Sequence, residues 1–148
     1  MSTLRASCCM AKSREDLVRW SLQKAEEYLQ SANENLKAGR LFPAAEEIFR
    51  SVETSLEAML YHFGTKKIEY PGRRKKFTGR LALQFLIRDN LVRTRRIESS
   101  IYDRYLAIAS ELHLASYMQA KTFQAKDLND NLKFAEDLLT KAKSVIGK

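Results

Sequence analysis

One stretch constrains this chain more than any other: Leu41 to Gly64, LFPAAEEIFRSVETSLEAMLYHFG. Pro43 stands in a first helical turn, where its missing N–H costs nothing, and Gly64 stands where a helix stops. At about 100° per residue, Ala45, Ile48, Phe49, Val52, Leu56, Met59, Leu60 and Phe63 fall on one broad apolar arc. Beside it runs a strip of mainly small residues, Ala44, Ser51, Ser55 and Ala58, ending at His62. Glu46, Glu53, Glu57 and Arg50 are left for the remaining edge. A surface helix needs one apolar stripe, so two adjoining stripes predict a helix packed on two sides, the centre of a bundle.

The flanking segments supply its partners. Ser13 is a suitable N-cap, followed by Glu15 and Asp16, and a helix is expected from there to about Ala38, ended by Gly39. The very short link to Leu41 forces an antiparallel hairpin. Arg80 to about Asn90 is apolar almost all round, so a short buried helix is expected. Thr94 is expected to cap a long helix to about Ala120. That helix carries one stripe from Ile97 through Tyr105 to Leu112 and a second through Tyr102, Leu106, His113 and Tyr117, which predicts burial on two sides. Asp127, with Asp130 three residues on, is expected to cap the last helix.

No strand-like alternation, hairpin signal or internal repeat is legible. The pattern predicts an all-α, antiparallel up-and-down helical bundle of four long helices plus one short helix. With 148 residues, one core and one domain, 13–148, are expected. Residues 1–12 read as a disordered or non-native extension, Met10 offering an alternative start. Cys8 and Cys9 are adjacent and have no third cysteine to pair with, which argues against a disulfide framework. No apolar run approaches the roughly 18–20 residues that span a bilayer, and the N-terminus has no secretory core. A cytoplasmic location without a membrane partner is the expectation.

The net charge of +8 has a local source. Between Gly64 and Arg80, seven basic residues, Lys66, Lys67, Arg73, Arg74, Lys75, Lys76 and Arg80, face Glu69 alone. With Tyr70 and Phe77 interleaved, this loop suits phosphates and bases. The plainer alternative is a solvated loop that keeps the chain in solution.

Catalytic signatures are sparse. There is no glycine-rich phosphate loop, HExxH or nucleophile elbow. Neither a cofactor nor a metal is expected. His62 and His113 are the whole imidazole supply, each either a packed structural residue or a general acid or base. Trp20 projects away from its helix's apolar stripe. It either packs on the N-terminal segment or a loop, or forms an interface hot spot; His62 and Tyr102 are further interface candidates.

The pattern AGRLFPAAEEIFRSVETSLEAMLYHFG (residues 38–64), with the later ELHLASYMQAKTF and NLKFAEDLLTKAKSVI, resembles the HEPN superfamily of small helical-bundle proteins. The resemblance covers roughly residues 13–147. It implies an antiparallel bundle, homodimerisation through long helices, and pairing with a minimal nucleotidyltransferase as toxin and antitoxin. It also implies a metal-independent ribonuclease whose active Arg and His lie four to six residues apart on one helix. Here the sequence departs. The nearest arginine before His113 is Arg104, and nine steps of about 100° place the two on roughly opposite helix faces. The leading expectation is therefore a catalytically divergent, homodimeric HEPN-like protein that binds a partner, a nucleotide or RNA. The alternatives are a ribonuclease using His113, Tyr117 and Arg104, and a plain helical scaffold.

Overall fold

The computed structural model describes residues 13–117 and 122–147. Among them are five α-helices: α1 (Arg14–Lys37), α2 (Leu41–His62), the short α3 (Gly79–Ile87), α4 (Ser99–Tyr117) and α5 (Ala125–Ile146). The all-α bundle of four long helices and one short one is what the chain adopts. No described helix is long and apolar enough to cross a membrane.

Both ends of the α1–α2 hairpin follow from local chemistry. The Ser13 hydroxyl accepts the Asp16 N–H at 3.1 Å, capping α1. At its other end, Gly39 N–H donates to the Leu36 carbonyl and Arg40 N–H to that of Asn35, with Gly39 in the left-handed region at φ 78°. This is the Schellman arrangement, which an L side chain at Gly39 would strain. The same pair of bonds recurs after α2, from Gly64 to Tyr61 and from Thr65 to Leu60.

Helix α2 is central, packing against α1, α5, α4 and α3. Its small strip is its contact with α1: Ala44, Ser51, Ser55 and Ala58 are wholly buried, as are Ala25 and Ala32 on α1. The Ser51 hydroxyl donates to the Ala25 carbonyl at 2.8 Å. Ser31 Oγ and Asn35 Nδ2 of α1 both donate to the Glu47 carboxylate. The broad arc of α2 forms the core with Leu83, Ile87 and Leu91, Tyr105 and Ile108 of α4, and Leu128, Leu132 and Leu138 of α5.

Five expectations need correction. The 64–79 connection contains a hairpin, β1 (Glu69–Tyr70) pairing antiparallel with β2 (Phe77–Thr78), because two-residue strands are too short to show alternation. Helix α3 runs on into a π-helical turn, Arg88–Val92, with Arg93 N–H donating to the Arg88 carbonyl. Thr94 caps nothing: its hydroxyl donates backwards to the Asn90 and Leu91 carbonyls, and α4 starts five residues later. Asp127 lies in the first turn of α5, whose N-cap is Gln124. Finally, α4 is fully buried on one side only; Tyr105, Ile108 and Leu112 are buried, whereas Tyr102 and Leu106 are half-buried and His113 is exposed. The expectations for residues 1–12, and for α4 continuing to Ala120, lie outside the described residues.

The α1–α2 contact makes a direct prediction. Ala25→Leu adds a branched side chain where no exposed surface remains, and is expected to lower stability by about 1–3 kcal/mol. The same change at exposed Glu27 is expected to cost far less, and urea denaturation of both variants compares them.

Candidate functional site

The basic segment is held as a braced hairpin. The Tyr70 ring packs on Phe85 of α3 at 5.0 Å, and Phe77 meets the same ring edge-on at 5.7 Å. Tyr70 Oη donates to Asp89 Oδ2 at 2.5 Å, and Asp89 also pairs with Arg88 at 2.9 Å and Arg93 at 3.1 Å. These donors, Arg88 first, hold the Asp89 carboxyl below its ordinary range. The two aromatics expected to stack bases are thus the hairpin's anchors.

Above this base stand the charges. Arg73, Arg74, Lys75 and Lys76 are all exposed; Lys76 pairs with Glu69 at 3.3 Å. Arg73, Arg74 and Lys75 have no ion-pair partner among the described residues, nor do Lys66 and Lys67 nearer α2. Gly72 makes the turn possible: a Cβ there would lie 2.2 Å from the Lys75 carbonyl oxygen.

Arg80, the last of the basic series, is used differently. Its Nε donates to Glu53 Oε2 at 3.2 Å, and its guanidinium lies 4.8 Å over the Phe49 ring, which stacks on Tyr105. Glu53 is only 5% exposed, which corrects the expectation of a surface edge. Its charge is tolerated there because Arg80 comes in from the hairpin side. Burial nevertheless pushes the Glu53 carboxyl up, opposed by Arg80 and Arg50. Glu57, one turn on, is raised by the same cause, opposed by Lys24 and Arg50.

Glu53 and Glu57 face a cleft of about 210 Å³, walled also by Lys24, Arg50, Ile68 and Leu83. Arg50 is positioned by the Tyr28 hydroxyl at 3.4 Å, and Lys24 lies over Trp20 at 4.1 Å. Sequence reasoning named Arg80 only as a phosphate contact of the basic run and did not single out the other four charged residues of this cleft. The signal was the (i, i+4) carboxylate pair on a helix flanked by two buried stripes.

The remaining candidates are dispersed. Arg104 donates to Asn131 Oδ1 at 3.0 Å and lies 5.2 Å over Phe134, fastening α4 to α5. His113 is exposed further along the same helix, and the Tyr117 side chain lies outside the described residues. Tyr102 donates to the Gln84 carbonyl of α3 at 3.2 Å. His62 is half-buried, edge-on to Phe63, and its carbonyl accepts from Arg14. Trp20 is 49% exposed. Among the described residues no cluster of three or more His, Cys, Asp or Glu is placed to hold a metal.

A bundle of these proportions, with a basic hairpin between its second and third helices, can be compared with known families. The profile of the archaeal PaREP1/PaREP8 family matches residues 21–144, from within α1 to near the end of α5. The chain belongs to that family. The match takes in both the hairpin and the cleft, so family membership covers the whole candidate site. No curated protein matches the chain.

The raised carboxyls fix a pH dependence. A group whose folded pKa lies above its unfolded value binds more protons when folded, so its contribution to stability declines as pH rises through that interval. Glu57→Gln is expected to raise stability at pH 7 and to flatten its dependence in the window just above the ordinary carboxylate range. Urea midpoints at pH 5 and pH 7 measure it, and an unchanged difference between the two would contradict this account of Glu57.

Proposed function

We propose that this PaREP1/PaREP8 protein is a non-catalytic, HEPN-like bundle that binds the phosphates of RNA or a nucleotide through its basic hairpin. In this reading it works as a homodimer and as the partner of a minimal nucleotidyltransferase, as the helical pattern of residues 38–64 suggests. The observation that carries the proposal is the bracing of the hairpin. Arg73, Arg74 and Lys75 project from a turn anchored by Tyr70, Phe77 and Asp89 rather than from a free loop. Three unpaired cations on a fixed support lose less entropy on meeting a polyanion than the same cations on a mobile chain.

The non-catalytic part rests on α4. The Arg104 guanidinium is engaged by Asn131 and Phe134, and His113 follows nine residues later. A regular helix turns the two away from one another, so they do not converge on a single phosphate.

Fluorescence anisotropy with single-stranded RNA at several salt concentrations tests the phosphate contacts. Replacing Arg73, Arg74 and Lys75 by Gln removes three of them, and the slope of log affinity against log salt is expected to fall by about 2. Gly72→Ala is expected to weaken binding while leaving helical circular dichroism unchanged, because the clash is confined to the turn. An unaltered slope in the triple variant would sink the hairpin reading.

A further inference from the structure

We propose that the cleft between α1, α2 and the start of α3 binds a small zwitterion, an α-amino acid with an apolar side chain. This site is separate from the hairpin tip and does not depend on the hairpin's function. Its charges decide the ligand class. Lys24, Arg50 and Arg80 bring positive charge to the cleft, which also reaches Gly79 at the N-terminal end of α3. Glu53 and Glu57 bring negative charge from α2. A simple anion would face two carboxylates, and a simple amine three cations. A molecule carrying both an ammonium and a carboxylate satisfies both sets.

The carboxylates retain acceptor capacity. Glu53 receives one bond, from Arg80 to Oε2, and among the described residues Glu57 receives no hydrogen bond or ion pair. Burial raises the pKa of both, as expected of carboxylates that have lost water without gaining enough donors. An ammonium supplies three donors and a charge. For the ligand's carboxylate, Arg50, held by Tyr28, presents a planar donor fork.

Ile68 and Leu83 complete the argument, giving the cleft an aliphatic wall for a side chain. The volume of about 210 Å³ equals roughly seven waters at ~30 Å³ each. That is the scale of a free amino acid.

Thermal-shift and calorimetric titration of the full chain with leucine test the site. Leucine is expected to raise Tm in a concentration-dependent manner. N-acetyl-leucine, which lacks the ammonium, and isopentylamine, which lacks the carboxylate, are expected to bind at least tenfold more weakly. Glu57→Gln is expected to lose at least tenfold in leucine affinity, whereas Arg74→Gln on the hairpin leaves it unchanged. Lys24→Gln, at a half-buried position of the same cleft, is expected to show the same loss. Equal binding of either analogue, or no shift at millimolar leucine, valine, methionine or phenylalanine, would overturn the proposal. RNA binding of the unaltered chain is scored separately, so failure here leaves the hairpin reading standing.

Discussion

The close approach of α1 to α2 is the contact on which the rest of the bundle depends. Alanine and serine line both sides of it and are buried, so little side-chain bulk stands between the two backbones. Such a contact gains little from large side chains, and polar bonds set its register instead. Ser51 reaches the Ala25 carbonyl, while Glu47 gathers Ser31 and Asn35. Because one narrow strip satisfies α1, the wide arc of α2 remains for α3, α4 and α5. Four neighbours around one helix follow from that division.

The same helix links core and surface through a single guanidinium. Arg80 stands two residues after β2, so the hairpin's position determines where its head group lies. It neutralises Glu53 and covers Phe49, which in turn stacks on Tyr105 of α4. Burial and the nearby Glu53 charge push the Tyr105 phenol well above its ordinary range, so it stays neutral. Its hydroxyl has no hydrogen-bond partner among the described residues. An apolar core thus tolerates one charge and one idle phenol within a few residues of each other, at a cost that the surrounding packing offsets.

What the sequence revealed tracks the range of the interactions involved. The bounds of α1 and α2 were legible because caps and the 3.6-residue period act over a few positions: Ser13, Gly39 and Gly64 each announce an end. The hairpin was not, since its two strands are held by Phe85 and Asp89, residues beyond the strands themselves. Thr94 had the chemistry of an N-cap, but its hydroxyl found the carbonyls behind it before any N–H ahead. Of the cleft, Arg80 stood out as part of a charge run. Glu53 did not, because a helical wheel assigns charge to the outside, and the arginine that reverses that assignment lies 27 residues away. The basic segment was visible as composition, and its rigidity became visible only with Tyr70 and Phe77 in place.

The π-helical turn at Arg88–Val92 has a further geometric consequence. Leu83, Ile87 and Leu91 are spaced by four, and all three are buried. In an ideal α-helix a four-residue step overshoots a full turn by about 40°, so two steps would rotate Leu91 well away from Leu83. The wider turn takes up that excess, bringing Leu91 back over the core while Asp89 faces the hairpin. One surplus residue therefore acts as a phase corrector: a single segment keeps a continuous apolar spine on one side and offers a carboxylate anchor on the other. The turn then closes on Arg95 in the left-handed region, where the two earlier helix ends use glycine. The rotational setting of everything after it, including the direction in which α4 leaves, is thus determined within this short stretch of chain.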